Sequence, residues 1–147
     1  MPKASVNRLI ECKKEDLIKL VLDIEKYPEF VPFCYDAKIY DKHEEEHTVK
    51  IIADLTIGKG PFKDTYKSDV KFSKKDNSIK VTNIGGPLNH LENTWYFSDH
   101  DNGTEIFFDI DFEIENKFLN IVMAKSFQFG LDKIADAFQK RALDLYS

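Results

Sequence analysis

The sequence predicts an α+β fold in which one bent antiparallel sheet wraps around a long C-terminal helix. Three observations predict it. Residues 116–146 contain no proline and a single glycine, Gly130, and they carry an apolar stripe at helical spacing: Met123, Phe127, Leu131, Ile134, Phe138, Ala142 and Leu145. Between Cys34 and Ile114, strand-like segments follow one another with only short Gly-, Pro- or Asn-containing breaks. Strands joined by short turns form an antiparallel meander, and a one-sided helix stripe must be covered by something, for which the sheet is the natural candidate.

Lys3 to Glu11 alternates well enough to be a first strand. Lys13 to Glu25 reads as a helix with Leu17, Leu20, Val21 and Ile24 on one face, and Glu15 and Asp16 in the first turn favour its positive end. Pro28 stops it. Residues 27–33, Tyr-Pro-Glu-Phe-Val-Pro-Phe, make a short and stiff connector. Cys34 to Lys42 is the next strand, followed by an acidic turn from His43 to His47. In Thr48 to Ile57 the residues Val49, Ile51, Ala53, Leu55 and Ile57 share one face. Gly58 to Pro61 is a turn or bulge.

Phe62 to Ser73 divides oddly. Lys63, Thr65, Lys67, Asp69 and Lys71 lie on one face, and Phe62, Asp64, Tyr66, Ser68, Val70 and Phe72 on the other. The second set should face inward, yet it includes a carboxylate and two hydroxyls that need partners or water. A turn at Lys75 to Asn77 leads to a strand from Ser78 to Ile84, and Gly85-Gly86-Pro87 breaks the sheet. Glu92 to Ser98 resumes it with Trp95 and Phe97 inward, and Asn102-Gly103 marks a hairpin. Thr104 to Ile114 alternates cleanly, with Ile106, Phe108, Ile110, Phe112 and Ile114 inward and Glu105, Asp109, Asp111 and Glu113 outward. Asn116 caps the last helix. That helix is apolar all round in its first half, and Asp132, Lys133, Asp136, Gln139 and Lys140 give its second half an outer polar face.

The length of 147 residues suits one domain, 1–147, with a core of its own. The net charge of −5 argues against nonspecific nucleic-acid binding as the main role, and DNA is not an expected partner. Cys12 and Cys34 lack metal-ligand spacing and read as free, partly buried thiols of a reducing compartment. No secretory or transit segment is expected from the residues read, and no apolar run among them is long enough to span a bilayer. The expected location is the cytoplasm, with peripheral contact at the inner membrane left open.

Catalytic chemistry finds little support. His43, His47, His90 and His100 all fall in expected turns, and no nucleophile–base signature is present. The glycine pairs at 58–60 and 85–86 precede no helix and are not phosphate loops. No cofactor, metal or catalytic residue is therefore expected. What remains is an aromatic interior, with Asp64, Tyr66 and Ser68 as polar anchors in an apolar pocket, the usual composition of a ligand site. The candidate ligand-binding set is Tyr66, Ser68, Trp95, Phe97, Phe108, Phe112, Phe127 and Leu131. The outward Lys63, Lys67 and Lys71 form a basic stripe.

Residues 27–34, YPEFVPFC, resemble the YPxFxPxC segment of the coenzyme Q-binding and polyketide cyclase-like branch of the START superfamily, which includes RatA-type bacterial members. Gly86-Pro87-Leu88 with Leu91, Trp95 and Phe97 is similar to that branch's GPF…L…W.F stretch, and Asp111 to Ile114 to its DFEF segment. The resemblance spans nearly the whole chain in the right order. It implies a helix-grip fold with an apolar cavity between sheet and C-terminal helix. It also implies one of three functions: a non-catalytic binder of ubiquinone or a similar isoprenoid lipid that supports respiratory electron transport, a RatA-type toxin that binds the large ribosomal subunit and blocks subunit association, or a polyketide cyclase/aromatase. Two positions depart from the pattern: Leu88 stands where Phe is usual, and Asp69 where an Arg is common after Tyr66 and Ser68.

Overall fold

A computed structural model describes residues 3–59, 61–85, 88–114 and 117–146; the side chains of 59, 62, 88, 89, 114, 118–120 and 122–127 fall outside that description. The chain runs β1 (Lys3–Ile10), α1 (Lys14–Leu22), a 3₁₀ turn (Ile24–Glu29), β2 (Cys34–Glu44), β3 (Thr48–Lys59), β4 (Phe62–Ser73), β5 (Ser78–Gly85), β6 (Leu88–His100), β7 (Gly103–Ile114) and α2 (Lys117–Tyr146). The strands form one antiparallel sheet in the order β1-β7-β6-β5-β4-β3-β2. β2 to β7 are the expected meander, and β1 closes it by pairing along β7 from Lys3 opposite Asp111 to Ile10 opposite Thr104.

The side-chain alternation of each strand decides which face is buried. On β3, Ile51 and Ala53 are buried, and across from them on β4 lie Val70 and Ser68. On β7, Ile106, Phe108 and Phe112 are buried. The covering stripe of α2 is Leu131, Ala135, Phe138 and Ala142; Leu145, expected to continue it, is exposed in the last turn of the helix. Met123 and Phe127 lie among the side chains outside the description, Gly86 and Pro87 lie outside the described residues, and so does the cap expected at Asn116.

Three expected boundaries move. The first helix stops at Leu22 because Asp23 leaves helical geometry (φ −82°, ψ 64°), and Pro28 sits inside the following 3₁₀ turn. That turn keeps its own bonds, Lys26 N–H to Asp23 O at 3.2 Å and Phe30 N–H to Tyr27 O at 3.1 Å. β2 runs on to Glu44 and takes in His43. β6 is longer than expected at both ends and contains His90 and His100, so of the four histidines only His47 lies in a turn. The reason is pairing: β7 offers a full-length partner from Ile114 opposite Leu88 to Gly103 opposite His100, and that ladder overrides the poor strand propensity of Asn and His.

The path of α2 across the sheet is fixed by three contacts with the first strand and the residues after it. Cys12 Sγ–H donates to the Ala142 carbonyl at 3.6 Å, Arg8 Nη1 meets Asp136 Oδ1 at 2.6 Å, and Gln128 Nε2 donates to the Ser5 carbonyl at 3.1 Å. From 142 back to 128 the helix travels about 21 Å at 1.5 Å per residue. From Cys12 back to Ser5 the chain travels about 23 Å at 3.3 Å per residue. The two elements therefore run side by side in the same direction, and the first turns of α2 continue toward the end of the sheet where Lys3 pairs with Asp111.

Candidate functional site

The concave face has two halves. In the first, Trp95 is the centre of a packed aromatic cluster. Its ring stacks on Phe108 with centroids 4.1 Å apart, meets the edge of Phe138 at 5.1 Å and lies parallel to Phe97 at 6.3 Å. A buried indole N–H needs an acceptor. Trp95 Nε1–H donates to Asn93 Oδ1 at 3.1 Å, and the Asn93 amide donates to the Asp109 carbonyl at 2.6 Å. Phe138 also receives the edges of Phe30 (5.1 Å) and Tyr27 (5.4 Å) from the connector. Tyr27 donates its hydroxyl to the Val21 carbonyl, and burial pushes its pKa far above the usual phenol range. Arg141 lies over the Phe30 ring and bonds Glu29 Oε1 at 3.0 Å, which together with Lys26 holds the Glu29 carboxyl below its ordinary range. The connector is thus a clasp on the second half of α2.

Little space is left there. A small, partly open void of about 20 Å³ sits among Val6, Arg8, Trp95, Ile106, Phe108 and Phe138. That is room for about one water, far below the roughly 300–1,000 Å³ of a small-molecule site.

The second half lies along the same strands. Phe112 is four residues beyond Phe108 on the same face of β7, and Leu91 is four residues before Trp95 on β6, opposite Phe112. Four residues of strand carry this end about 13 Å from the aromatic cluster. Phe112 and Ser68 are buried, at 6 % and 1 % exposure, while Leu55, Leu91, Asn83 and Tyr66 are half-buried. Tyr66 pairs with Leu55, and Ser68 lies between Ala53 and Asn83. Burial raises the Tyr66 pKa, and the Asp64 carboxylate raises it further. Asp64 itself departs from expectation: it shares the inward row of β4 but is exposed, because it sits at the sheet's rim opposite Ile57, beyond the reach of the core. This is also the end toward which the first turns of α2 point.

The eight sequence-derived site residues therefore divide. Trp95, Phe97, Phe108 and Leu131 belong to the packed core, with Phe138 as a ring the sequence reading had left outside the set. Tyr66, Ser68 and Phe112 lie along the second half. Phe127 falls among the side chains outside the description. Leu91 and Asn93 were missed as site residues. Leu91 lies outside the expected strand, which breaks at Gly85-Gly86-Pro87 and resumes only at Glu92; Asn93 is legible as a polar residue in the alternation Leu91, Asn93, Trp95, Phe97. Among the described residues no group of His, Cys, Asp or Glu could hold a metal ion. The basic stripe of Lys63, Lys67 and Lys71 is exposed on the convex face, and Asp69, in the place of the usual Arg, lies 3.9 Å from Lys71.

The sequence matches the family described as polyketide cyclase / dehydrase and lipid transport over residues 10–139. It is 32% identical over 141 residues to the ribosome association toxin RatA of Rickettsia prowazekii, covering 94% of each chain. It is 30% identical over 130 residues to the mitochondrial coenzyme Q-binding protein COQ10 of Dictyostelium discoideum, covering 86% of this chain and 62% of that one. The fold superposes on a START superfamily protein from Mycobacterium smegmatis with a TM-score of 0.81 at 17% identity, over 97% of this chain and 98% of that one. The bent seven-stranded sheet, the long helix across it and the match over most of the sequence lead to one assignment: the chain belongs to the polyketide cyclase / dehydrase and lipid transport family, and its fold is the START-like helix grip.

Proposed function

We propose that the chain is a non-catalytic carrier of one apolar molecule of the quinone or isoprenoid type, held between the Phe112 end of the sheet and the first half of α2. The observation that carries this reading is the asymmetry of the concave face. The Trp95 half is filled to within about 20 Å³. The Phe112 half presents apolar side chains around a few polar ones, Tyr66, Ser68 and Asn83, at the end of the sheet toward which the first turns of α2 run, and the sequence of those turns, FLNIVMAKSF, carries apolar residues in nearly every direction around the helix axis. A segment of that composition needs apolar neighbours on more than one face. An isoprenoid tail supplies them, and the polar groups fit a quinone carbonyl. The name of the Dictyostelium relative supports this class of ligand. Cyclase chemistry would need an acid/base pair in the groove, and Asp64, the carboxylate nearest Tyr66 along β4, is exposed to water. Among the described residues no helix is long and apolar enough to cross a membrane, so a carrier would meet a bilayer from its surface.

Trp95 is the chain's one tryptophan, which makes a direct assay available. Titration with a short-tailed ubiquinone analogue should quench its emission saturably at 1:1 stoichiometry. Tyr66→Ala and Phe112→Ala should weaken the binding by about tenfold each, the loss of one good apolar or hydrogen-bonded contact. Quenching that stays linear in quinone, or that is equal in both variants, would remove the reading.

Ribosome association is a second reading, favoured by the relative that shares 32% identity over 94% of the chain. Sedimentation with purified large ribosomal subunits tests it, and a protein that stays at the top of the gradient ends it.

A further inference from the structure

The convex face of the sheet is divided by charge. Its β2–β5 half carries Lys38, Lys50, Lys63, Lys67, Lys71 and Lys80, all exposed. Its β6–β7–β1 half carries Glu92, Glu105, Asp109 and Asp111 on the same face, with Lys3 bridging to Asp111 at 3.7 Å. A protein of net charge −5 thus keeps a basic strip on one side of one face.

The strip is built at a cost. Lys71 lies directly opposite Lys50 on β3 and directly opposite Lys80 on β5. Like charges in facing positions destabilise a sheet, and strand spacing of about 4.8 Å puts the three lysines on adjacent strands of one face. Of the acids in the same half, Asp54 bonds the Tyr40 hydroxyl, Asp69 lies 3.9 Å from Lys71 and Asp41 3.2 Å from His43, while exposed Asp36 stands opposite Thr56 beside the tyrosines. Two exposed tyrosines complete the strip. Lys63 Nζ lies 3.9 Å from the Tyr35 ring centroid, and Lys38 and Lys67 lie 4.9 and 5.1 Å from that of Tyr40. Tyr35 is 48 % exposed and Tyr40 53 %.

We infer that the β2–β5 strip of the convex face docks RNA, with the lysine row Lys50–Lys71–Lys80 on phosphates and Tyr35 and Tyr40 as stacking platforms for unpaired bases. Phosphates at the row relieve the lysine–lysine repulsion, and an aromatic ring flanked by ammonium groups accepts any base face. The width also selects the partner. Four strands span about 14 Å, the scale of a nucleic-acid strand. A flat anionic bilayer would press on the acidic half of the same face as well. The surface is separate from the apolar groove and deepens the ribosome reading, on which its biological setting rests.

The test uses a fluorescein-labelled, unstructured 20-nucleotide RNA, read by anisotropy between 50 and 200 mM KCl, beside co-sedimentation with large ribosomal subunits. Lys71→Glu converts two repulsive pairs into attractive ones and gives up the exposed 3.9 Å pair with Asp69, which is worth little at the surface, so it should stay folded. It should weaken RNA binding about tenfold or more and reduce the steepness of the log–log salt plot by about 1. The double variant Tyr35→Ala/Tyr40→Ala should lose at least about fivefold. Lys13→Glu and Lys140→Glu, away from the strip, should bind as the parent does. Absence of RNA binding, or binding unaffected by Lys71→Glu, overturns the proposal. So does binding to vesicles of phosphatidylcholine and phosphatidylglycerol (7:3) that Lys71→Glu abolishes in a protein that binds no RNA. RNA binding through the strip without subunit co-sedimentation ends the ribosome reading and keeps the surface. Co-sedimentation indifferent to both strip variants keeps that reading and overturns the surface.

Discussion

Replacing Trp95 by alanine should be among the most damaging single changes in the chain, and its size follows from the structure. The side chain is 6 % exposed and touches three rings. Truncating a buried tryptophan costs about 3–5 kcal/mol through lost transfer energy and the cavity left behind. Aromatic pairs such as those with Phe108 and Phe138 add about 0.5–1.5 kcal/mol each beyond area. The site is poorly able to collapse, because the void of about 20 Å³ already borders the ring and the clasp on α2 holds the opposite wall. The value should therefore sit near the top of the range, at about 5 kcal/mol. For a chain of this size that is a drop in Tm of about 10–20 °C. In urea, with a slope of about 2 kcal/mol/M, the midpoint falls by about 2.5 M. Equilibrium denaturation followed by far-UV circular dichroism measures it. A loss below about 1.5 kcal/mol at unchanged slope would mean that Trp95 is not packed as described. Trp95→Phe should be milder, and while folded it should keep its ligand, since the groove lies about 13 Å further along the strands.

Gly103 adopts φ 142°, and a β-carbon there would collide with the Ile10 carbonyl and come within 2.8 Å of Glu11 Cα. Gly103→Ala should cost about 1–3 kcal/mol in a urea titration, and a neutral result would mean that the β6–β7 hairpin does not press on the end of β1. The Glu29 carboxyl is held low by Arg141, so its contribution is present above the ordinary glutamate range and fades as pH falls through its folded pKa. The difference in Tm between the parent and Glu29→Gln should accordingly shrink between pH 6 and pH 3, scales set by the reference glutamate pKa of about 4.3; a constant gap would contradict the clasp. Burial pushes the Cys34 thiol up to about 11. At pH 8 its alkylation by iodoacetamide should run about a hundredfold slower than that of a free thiol and recover in denaturant, and rapid labelling of the native protein would refute its burial.

Much of the architecture was legible because each strand has one buried face. Ile106, Phe108 and Phe112 against Glu105, Asp109 and Asp111 specify an inward and an outward side, and a register slip would invert both. The long helix was legible from its stripe. What was not legible required knowing neighbours distant in sequence. β1 pairs with β7 across about a hundred residues, and nothing local in Lys3 to Ile10 names that partner. His90 and His100 join a strand only because β7 offers a ladder to them. Asp64 obeys the alternation of β4 and still reaches water, because alternation fixes a side chain's direction but not how far the covering layer extends. The same limit hid the division of the candidate site. Periodicity places Trp95 and Phe112 on one inward face; only the path of α2, tied to Ser5, Arg8 and Cys12, shows that its second half covers the Trp95 end while its first turns run toward the Phe112 end. The lysine row was visible only within β4, since Lys50 and Lys80 join it through strand register.

The most direct measurement is native mass spectrometry of the protein purified without detergent from a quinone-producing host, followed by organic extraction and identification of any bound molecule. The carrier reading predicts a 1:1 adduct whose extracted mass is that of an isoprenoid quinone, with occupancy reduced in Phe112→Ala and preserved in folded Trp95→Phe. A protein that flies at its bare mass of 17.1 kDa and takes up no quinone from added vesicles would contradict it.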